Sequence, residues 1–120
     1  MSAPEEKKYN RDTNVINVST KKSFTFYVFL AKMYFKDFDE IEIHALGQAT
    51  QAAVQASECL IRNSYATMHK IWTDRVELSD EERQAKKTKL VIVLKKAEGY
   101  DEAFNTYEKQ REENRAAEEK

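Results

Sequence analysis

Lys21 and Lys22 stand side by side between a short apolar alternation and a long apolar run, where a strand gives way to a helix. The first turn of a helix holds backbone N–H groups without partners and the positive end of the helix dipole. Two ammonium groups added there suit an anion such as a backbone phosphate. A second basic group, Arg83, Lys86, Lys87 and Lys89, flanks the acidic residues Asp80, Glu81 and Glu82. In a regular strand Lys87 and Lys89 share a face, with Lys95 further along, and a protruding β-ribbon of that kind can follow a nucleic-acid groove. The carboxylates in the same loop lower its potential. A charged hairpin end that only keeps the chain soluble explains the same residues.

Catalytic chemistry finds little to build on. His44 and His69 have no His or Cys at ligand spacing around either. His44 alternates onto the polar side of its segment and reads as a structural or surface residue. Cys59 lies in an alanine-rich stretch and reads as a small apolar side chain. Gly47 belongs to neither a GxGxxG nor a Walker pattern. The expectation is no catalytic residue, no metal site and no cofactor.

The chain has 120 residues, with 20 Lys+Arg against 21 Asp+Glu, and a pI near 6.2. Averaged this way, it is not a strongly basic polyanion binder. Residues 1–96 hold 16 basic and 13 acidic side chains, a net of +3, whereas residues 97–120 hold 4 and 8, a net of −4. A mildly basic body therefore carries an acidic tail, either a solvated end or an intramolecular competitor for the basic surface. Two Gly and one Pro do not suit a turn-rich β-sandwich, and a single Cys excludes a disulfide framework. Phe24 to Phe35 is too short to span a bilayer and is interrupted by Lys32, and Met1 to Arg11 is polar throughout. A soluble intracellular single domain is expected.

Periodicity supplies the elements that must position these lysines. Residues 1–12 read as a disordered arm. Asn14 to Ser19 is a strand and Ser23 to Lys36 a helix, apolar around more of its circumference than one buried face needs. That excess predicts packing against a sheet on one side and a further element on another. Glu40 to Ala45 alternates, with Ile41, Ile43 and Ala45 on one face, and Gly47 precedes a helix from Gln48 to about Asn63. Its small residues favour close approach to a sheet or across a dimer interface. Met68 to Leu78 and Lys86 to Lys96 read as strands of a long hairpin around a polar loop, Ser79 to Ala85. Tyr100, Phe104 and Tyr107 then fall on one face of a C-terminal helix within 98–120. The order βαβαββ, with right-handed crossovers, predicts a two-layer α+β domain over 13–97.

The run from Val15 through the Lys21-Lys22 turn to Ala31, and the run Glu40-Ile-Glu-Ile-His-Ala-Leu-Gly-Gln-Ala49, resemble the corresponding segments of Alba proteins. The resemblance spans about residues 13–96. It implies the βαβαββ Alba fold, similar to the C-terminal domain of translation initiation factor three, here with an extra C-terminal helix. It also implies a dimer that binds RNA or DNA with little sequence preference. Lys21 and Lys22 match lysines that meet the backbone at the dimer's centre, and Gly47 matches the strand-to-helix glycine. Tyr65 falls where archaeal members use an aromatic residue in contacts between dimers. Leu46 and Gln48 replace archaeal arginines, and no Arg-Gly-Gly repeats follow, so the chain looks like the short eukaryotic form. That form implies RNA as partner in the cytoplasm, with the nucleus as a second location, in mRNA and translation regulation or ribonucleoprotein assembly. It also implies a homodimer, or a heterodimer with a longer Alba-like relative, and no membrane. Two alternatives stand beside it: a protein-interaction subunit of a larger ribonucleoprotein such as a ribonuclease P-like complex, and a DNA-binding chromatin protein.

Overall fold

A computed structural model describes residues 13–79 and 84–118. The arm expected over 1–12 lies outside the described residues. Among these, the chain runs β1 (Val15–Val18), α1 (Phe24–Tyr34), β2 (Glu40–Leu46), a single 3₁₀ turn (Gly47–Ala49), α2 (Thr50–Arg62), β3 (Ala66–Ser79), β4 (Gln84–Lys96) and α3 (Tyr100–Glu118). The strands form one sheet in the order β1-β2-β4-β3, with β1 parallel to β2 and both other pairs antiparallel. This is the expected mixed α+β architecture with its additional helix. The hairpin strands reach further than expected: β3 begins at Ala66 and pairs through Ser79 with Gln84, so part of the expected loop is ladder. Cross-strand hydrogen bonds extend the strands past the point where apolar alternation stops.

Alternation assigns the faces. Ile16, Val18, Ile41, Ile43, Ala45, Leu90, Ile92 and Leu94 lie on one side and are all buried. Tyr27, Leu30, Ala31, Ala53, Ala56 and Leu60 from α1 and α2 complete this core. Alanines at Ala53 and Ala56 let the α2 backbone settle close to the strands, as the small-residue pattern implied. Right-handed crossovers place α1 and α2 together on this face. The opposite face bears no helix among the described residues. There Val91 and Val93 are only 3% and 4% exposed, flanked in register by His44 and Trp72, and by Glu42 and Lys70. A bulge between Met68 and Lys70 displaces the pairing of β3 by one residue at His69. Met68 and Ile71 consequently face the helices, while Lys70 and Trp72 face away.

α2 ends where Ser64 adopts a left-handed conformation, φ 70. The Tyr65 N–H bonds the Leu60 carbonyl at 2.9 Å and the Ser64 N–H bonds that of Ile61 at 3.2 Å. This is the Schellman arrangement, with Ser where glycine is usual.

α3 is the further element that the apolar excess of α1 required. The Tyr100 ring packs edge-on against Phe35 and Tyr65 and stacks with Phe104 at 5.6 Å. At the end of α1 the Lys36 N–H bonds the Met33 carbonyl. The Lys32 carbonyl is left to the Tyr100 hydroxyl, which donates to it at 2.6 Å. Burial pushes the Tyr100 phenol up to about 12. The acidic excess is also resolved along this helix. Glu98, Asp101 and Glu102 supply three of the eight carboxylates beyond Ala97, whereas residues 108–120 hold five acidic against four basic groups. Asp101 and Glu102 sit in the first turn of α3, where carboxylates favour helix formation. Three of the four net negative charges of the segment therefore lie in or just before the first turn of the helix. Among the described residues no helix is long and apolar enough to cross a membrane.

Candidate functional site

The lysine turn, residues 19–23, leaves β1 and enters α1. Tyr27, one turn into the helix, reaches back to fix it. The Ser19 N–H donates to the Tyr27 hydroxyl at 2.9 Å, and that hydroxyl lies 3.3 Å from the Ser19 carbonyl to which it donates. The Lys21 N–H in turn donates to Ser19 Oγ at 3.2 Å. Ser23 holds the N-cap position in an extended conformation, but it makes no side-chain cap bond. Its hydroxyl meets Thr25 Oγ1 at 2.7 Å instead. The first turn of α1 contains no acidic residue. The helix N-terminus is thus neither capped by a side chain nor neutralised by a carboxylate, and Lys21 and Lys22 are exposed beside it. Lys22 rests its ammonium 5.1 Å from the centroid of the Phe26 ring. Such a turn has a net positive field and open donors, which is what a phosphate oxygen requires.

Parallel pairing of β1 with β2 brings the Leu46–Gln48 turn to the same end of the sheet. Gly47 has φ +57, and a Cβ there would meet Lys87 Cδ at 3.6 Å, an ordinary contact. The left-handed backbone, not lack of space, demands glycine. The Thr50 hydroxyl locks the turn by donating to the Gly47 carbonyl at 2.8 Å. A concavity of about 870 Å³ runs between Ser19, Thr20, Leu46, Gln48 and Lys87. Lys89 lies in register with Leu46 on one side and Asp74 on the other. Lys21, Lys22, Gly47, Lys87 and Lys89 are therefore gathered at one end of the sheet. The Lys86 backbone stands opposite Glu77 in the β3–β4 register, and Arg83 lies outside the described residues.

Tyr65 is elsewhere, and it is not a surface residue. It is 6% exposed, its hydroxyl donates to the Ala103 carbonyl at 3.3 Å, and burial raises its phenol pKa. The docking of α3 is the reason, so the contact between dimers expected of Tyr65 has no exposed ring to use. Beside it Lys32 is 8% exposed, with its ammonium 3.6 Å from the Tyr107 ring centroid and 4.5 Å from that of Tyr65. Loss of hydration lowers its pKa. Two rings shield this cation from solvent, and it contributes nothing to the basic end.

His44 lies on the helix-free face, with Nε2 2.9 Å from Glu42 Oε1. Among the described residues no group of three His, Cys, Asp or Glu is placed to hold a metal ion. Cys59 is partly buried in α2 and accepts from Asn63 Nδ2 at 3.4 Å. Tyr27 is the positioning residue that sequence reasoning passes over. Its helical spacing marks it as core, and nothing in that spacing signals a hydroxyl turned back onto the lysine turn.

A four-stranded mixed sheet with helices on one face, and lysines gathered at the end where Gly47 turns the chain, defines a small two-layer α+β domain. The family model for Alba matches residues 14–73, and the chain belongs to the Alba family. It is 38% identical over 106 residues to the protein named "Uncharacterized protein At2g34160" of Arabidopsis thaliana, covering 86% of this chain and 82% of that one. It is 32% identical over 102 residues to "Endonuclease ALBA3" of Plasmodium falciparum, covering 80% and 94%. Among solved structures, ALBA1 from Trypanosoma brucei superposes with a TM-score of 0.78 at 28% identity, covering 92% of each chain. Alba from Thermoplasma volcanium superposes with a TM-score of 0.61 at 26% identity, over 69% of this chain and all of that one. Family membership is consistent with nucleic-acid binding and with dimer formation.

Proposed function

We propose that this chain is a dimeric RNA-binding module with little sequence preference, acting in mRNA regulation or ribonucleoprotein assembly, with duplex DNA as a second ligand. The observation that carries the reading is the lysine turn: an uncapped helix N-terminus with two exposed lysines, held by Tyr27 and continued by Lys87 and Lys89. Phosphate contacts are read without sequence, so the affinity is salt-dependent. The dimer uses the groove between α2 and β3, about 280 Å³, where Val54, Met68 and Ile71 are 49%, 46% and 51% exposed. The Ser57 hydroxyl borders the same groove, buried without a partner among the described residues. A groove of this kind also fits a different Alba-like chain, which is the heterodimer or ribonucleoprotein-subunit reading. Light scattering with and without RNA separates the two: a homodimer that binds RNA alone supports the first.

The module acts as a binder and not as an enzyme. The name of the Plasmodium relative raises nuclease chemistry, for which the Glu42–His44 pair is the residue set to test. RNA cleavage that disappears in His44→Ala would replace the binding reading with a catalytic one. The direct test of the site is Lys21→Gln/Lys22→Gln against wild type across a salt series. Loss of two phosphate contacts per protomer makes the log–log salt slope shallower by about 2 where one protomer of the dimer meets the duplex and about 4 where both do. An unchanged slope in the folded variant removes the site.

A further inference from the structure

We propose that the helix-free face of the sheet extends the nucleic-acid surface beyond the lysine turn and takes unpaired bases, with Trp72 as its stacking platform. The inference rests on the nucleic-acid-binding reading and names the form of ligand this face would select.

Register lays out the face row by row. Asn17, His44, Val91 and Trp72 lie side by side across the four strands. Lys70 stands on the next row beside Val93, and Lys89 and Lys95 flank the rows on either side along β4. Lys89 and Lys95 share one face six residues apart, about 20 Å along a strand. Trp72 is 39% exposed, and the Lys70 ammonium sits 5.1 Å from its ring centroid. A part-exposed indole with the Lys70 ammonium over its ring, further lysines along β4 and amide and imidazole groups in its row, matches what a single strand offers once that ammonium swings aside to a phosphate. Such a strand brings a splayed base to stack, base edges to hydrogen-bond and a phosphate chain to neutralise.

The same features argue against the other occupants. A duplex keeps its bases stacked inside, so it has no π-face to lay on Trp72. A protein partner needs apolar area to cover, yet Val91 and Val93 are already buried here by their neighbours. The apolar groove lies on the far side of the bulge, with Met68 and Ile71. Glu42 on this face is engaged by His44, and Asp74 lies in register with Lys89, which tempers the repulsion of a phosphate chain. The face is continuous with the cationic end through the row of Leu46, Lys89 and Asp74, so one strand can run from the lysine turn across the sheet.

The chain has a single tryptophan, so its fluorescence reports on this position alone. The full-length protein is titrated with a 20-nucleotide oligouridylate and with a blunt 20-base-pair RNA duplex. The expected result is strong quenching by the oligouridylate and little by the duplex. Trp72→Ala should weaken oligouridylate binding about tenfold, the range a base–aromatic stack supplies. It should leave duplex affinity within about twofold, with Trp72→Phe close to wild type. Circular dichroism checks that the variants fold. If the oligouridylate saturates the protein without quenching, or Trp72→Ala binds both probes as wild type does, the platform is wrong. The lysine-turn site survives that outcome if Lys21→Gln/Lys22→Gln still loses duplex binding. If wild type binds neither probe, both readings fall together.

Discussion

Replacing Tyr100 by Phe tests whether α3 is part of the folded domain or only rests against it. The substitution keeps the ring that packs on Phe35, Tyr65 and Phe104 and removes a single oxygen. That oxygen makes a 2.6 Å bond to the Lys32 carbonyl, in a site where Tyr100 is 3% exposed. Leaving a buried carbonyl without its donor costs about 1.5 kcal/mol. For a chain of this size the loss lowers Tm by about 4–6 °C. The alkaline limb provides the second half of the test. Burial holds the phenol neutral in the fold, with its pKa pushed up to about 12, against about 10 in the unfolded chain. The neutral form is the one that folding favours. Its contribution is therefore complete below about pH 10 and is lost as pH rises from 10 through 12. By pH 12 the wild type surrenders about 2 kcal/mol through this group. Tyr100→Phe, with nothing to ionise there, surrenders none of it. The two stability curves, measured by urea denaturation followed by circular dichroism from pH 8 to 12, should cross near pH 11. Other phenols and lysines titrate in the same window, but they do so in both proteins and cancel in the difference. Equal stability at pH 8, or parallel decline without a crossing, refutes the account of α3 as an integral element.

Tyr27→Phe should loosen the lysine turn without removing a charge: affinity for RNA falls severalfold, while the salt slope stays that of wild type. A changed slope would mean that Tyr27 acts on the number of phosphates held and not on the turn's geometry. Ser64→Gly relieves the left-handed position that ends α2 and should raise stability by about 1 kcal/mol in urea denaturation; a loss would show that the Ser64 side chain matters more than its backbone. Ile71→Glu places a charge in the groove between α2 and β3 and should convert a dimer to monomers by light scattering, and a dimer that persists would move the interface elsewhere.

The strand faces, the crossover topology and the basic end were legible because they depend on local alternation. Ile41, Ile43 and Ala45 declare their side two residues at a time, and the same period places Lys87, Lys89 and Lys95 together. What escaped depends on contacts between distant positions. The one-residue slip at His69 is invisible in a sequence that alternates well on both sides of it, yet it decides that Ile71 faces the helices and Trp72 the opposite side. Tyr65, which the resemblance places at a contact between dimers, is buried by the Tyr100–Tyr107 stripe more than thirty positions later. The acidic tail forms α3 through Glu118, and three of its eight carboxylates lie in or just before the first turn.

The bulge on β3 has a consequence for how copies of this chain avoid one another. β3 is the outer strand of the sheet and spans 14 residues, long enough to template pairing with another strand and so to seed fibrous aggregates. At His69 its ladder is interrupted, as bulges that bend a strand do, and beyond that point Lys70, Asp74, Arg75 and Glu77 place charges of both signs along the strand. A second copy sliding alongside meets a kinked border and mismatched charges instead of a straight row of amides. The irregularity that turns Trp72 outward also guards the sheet against growing into its neighbours.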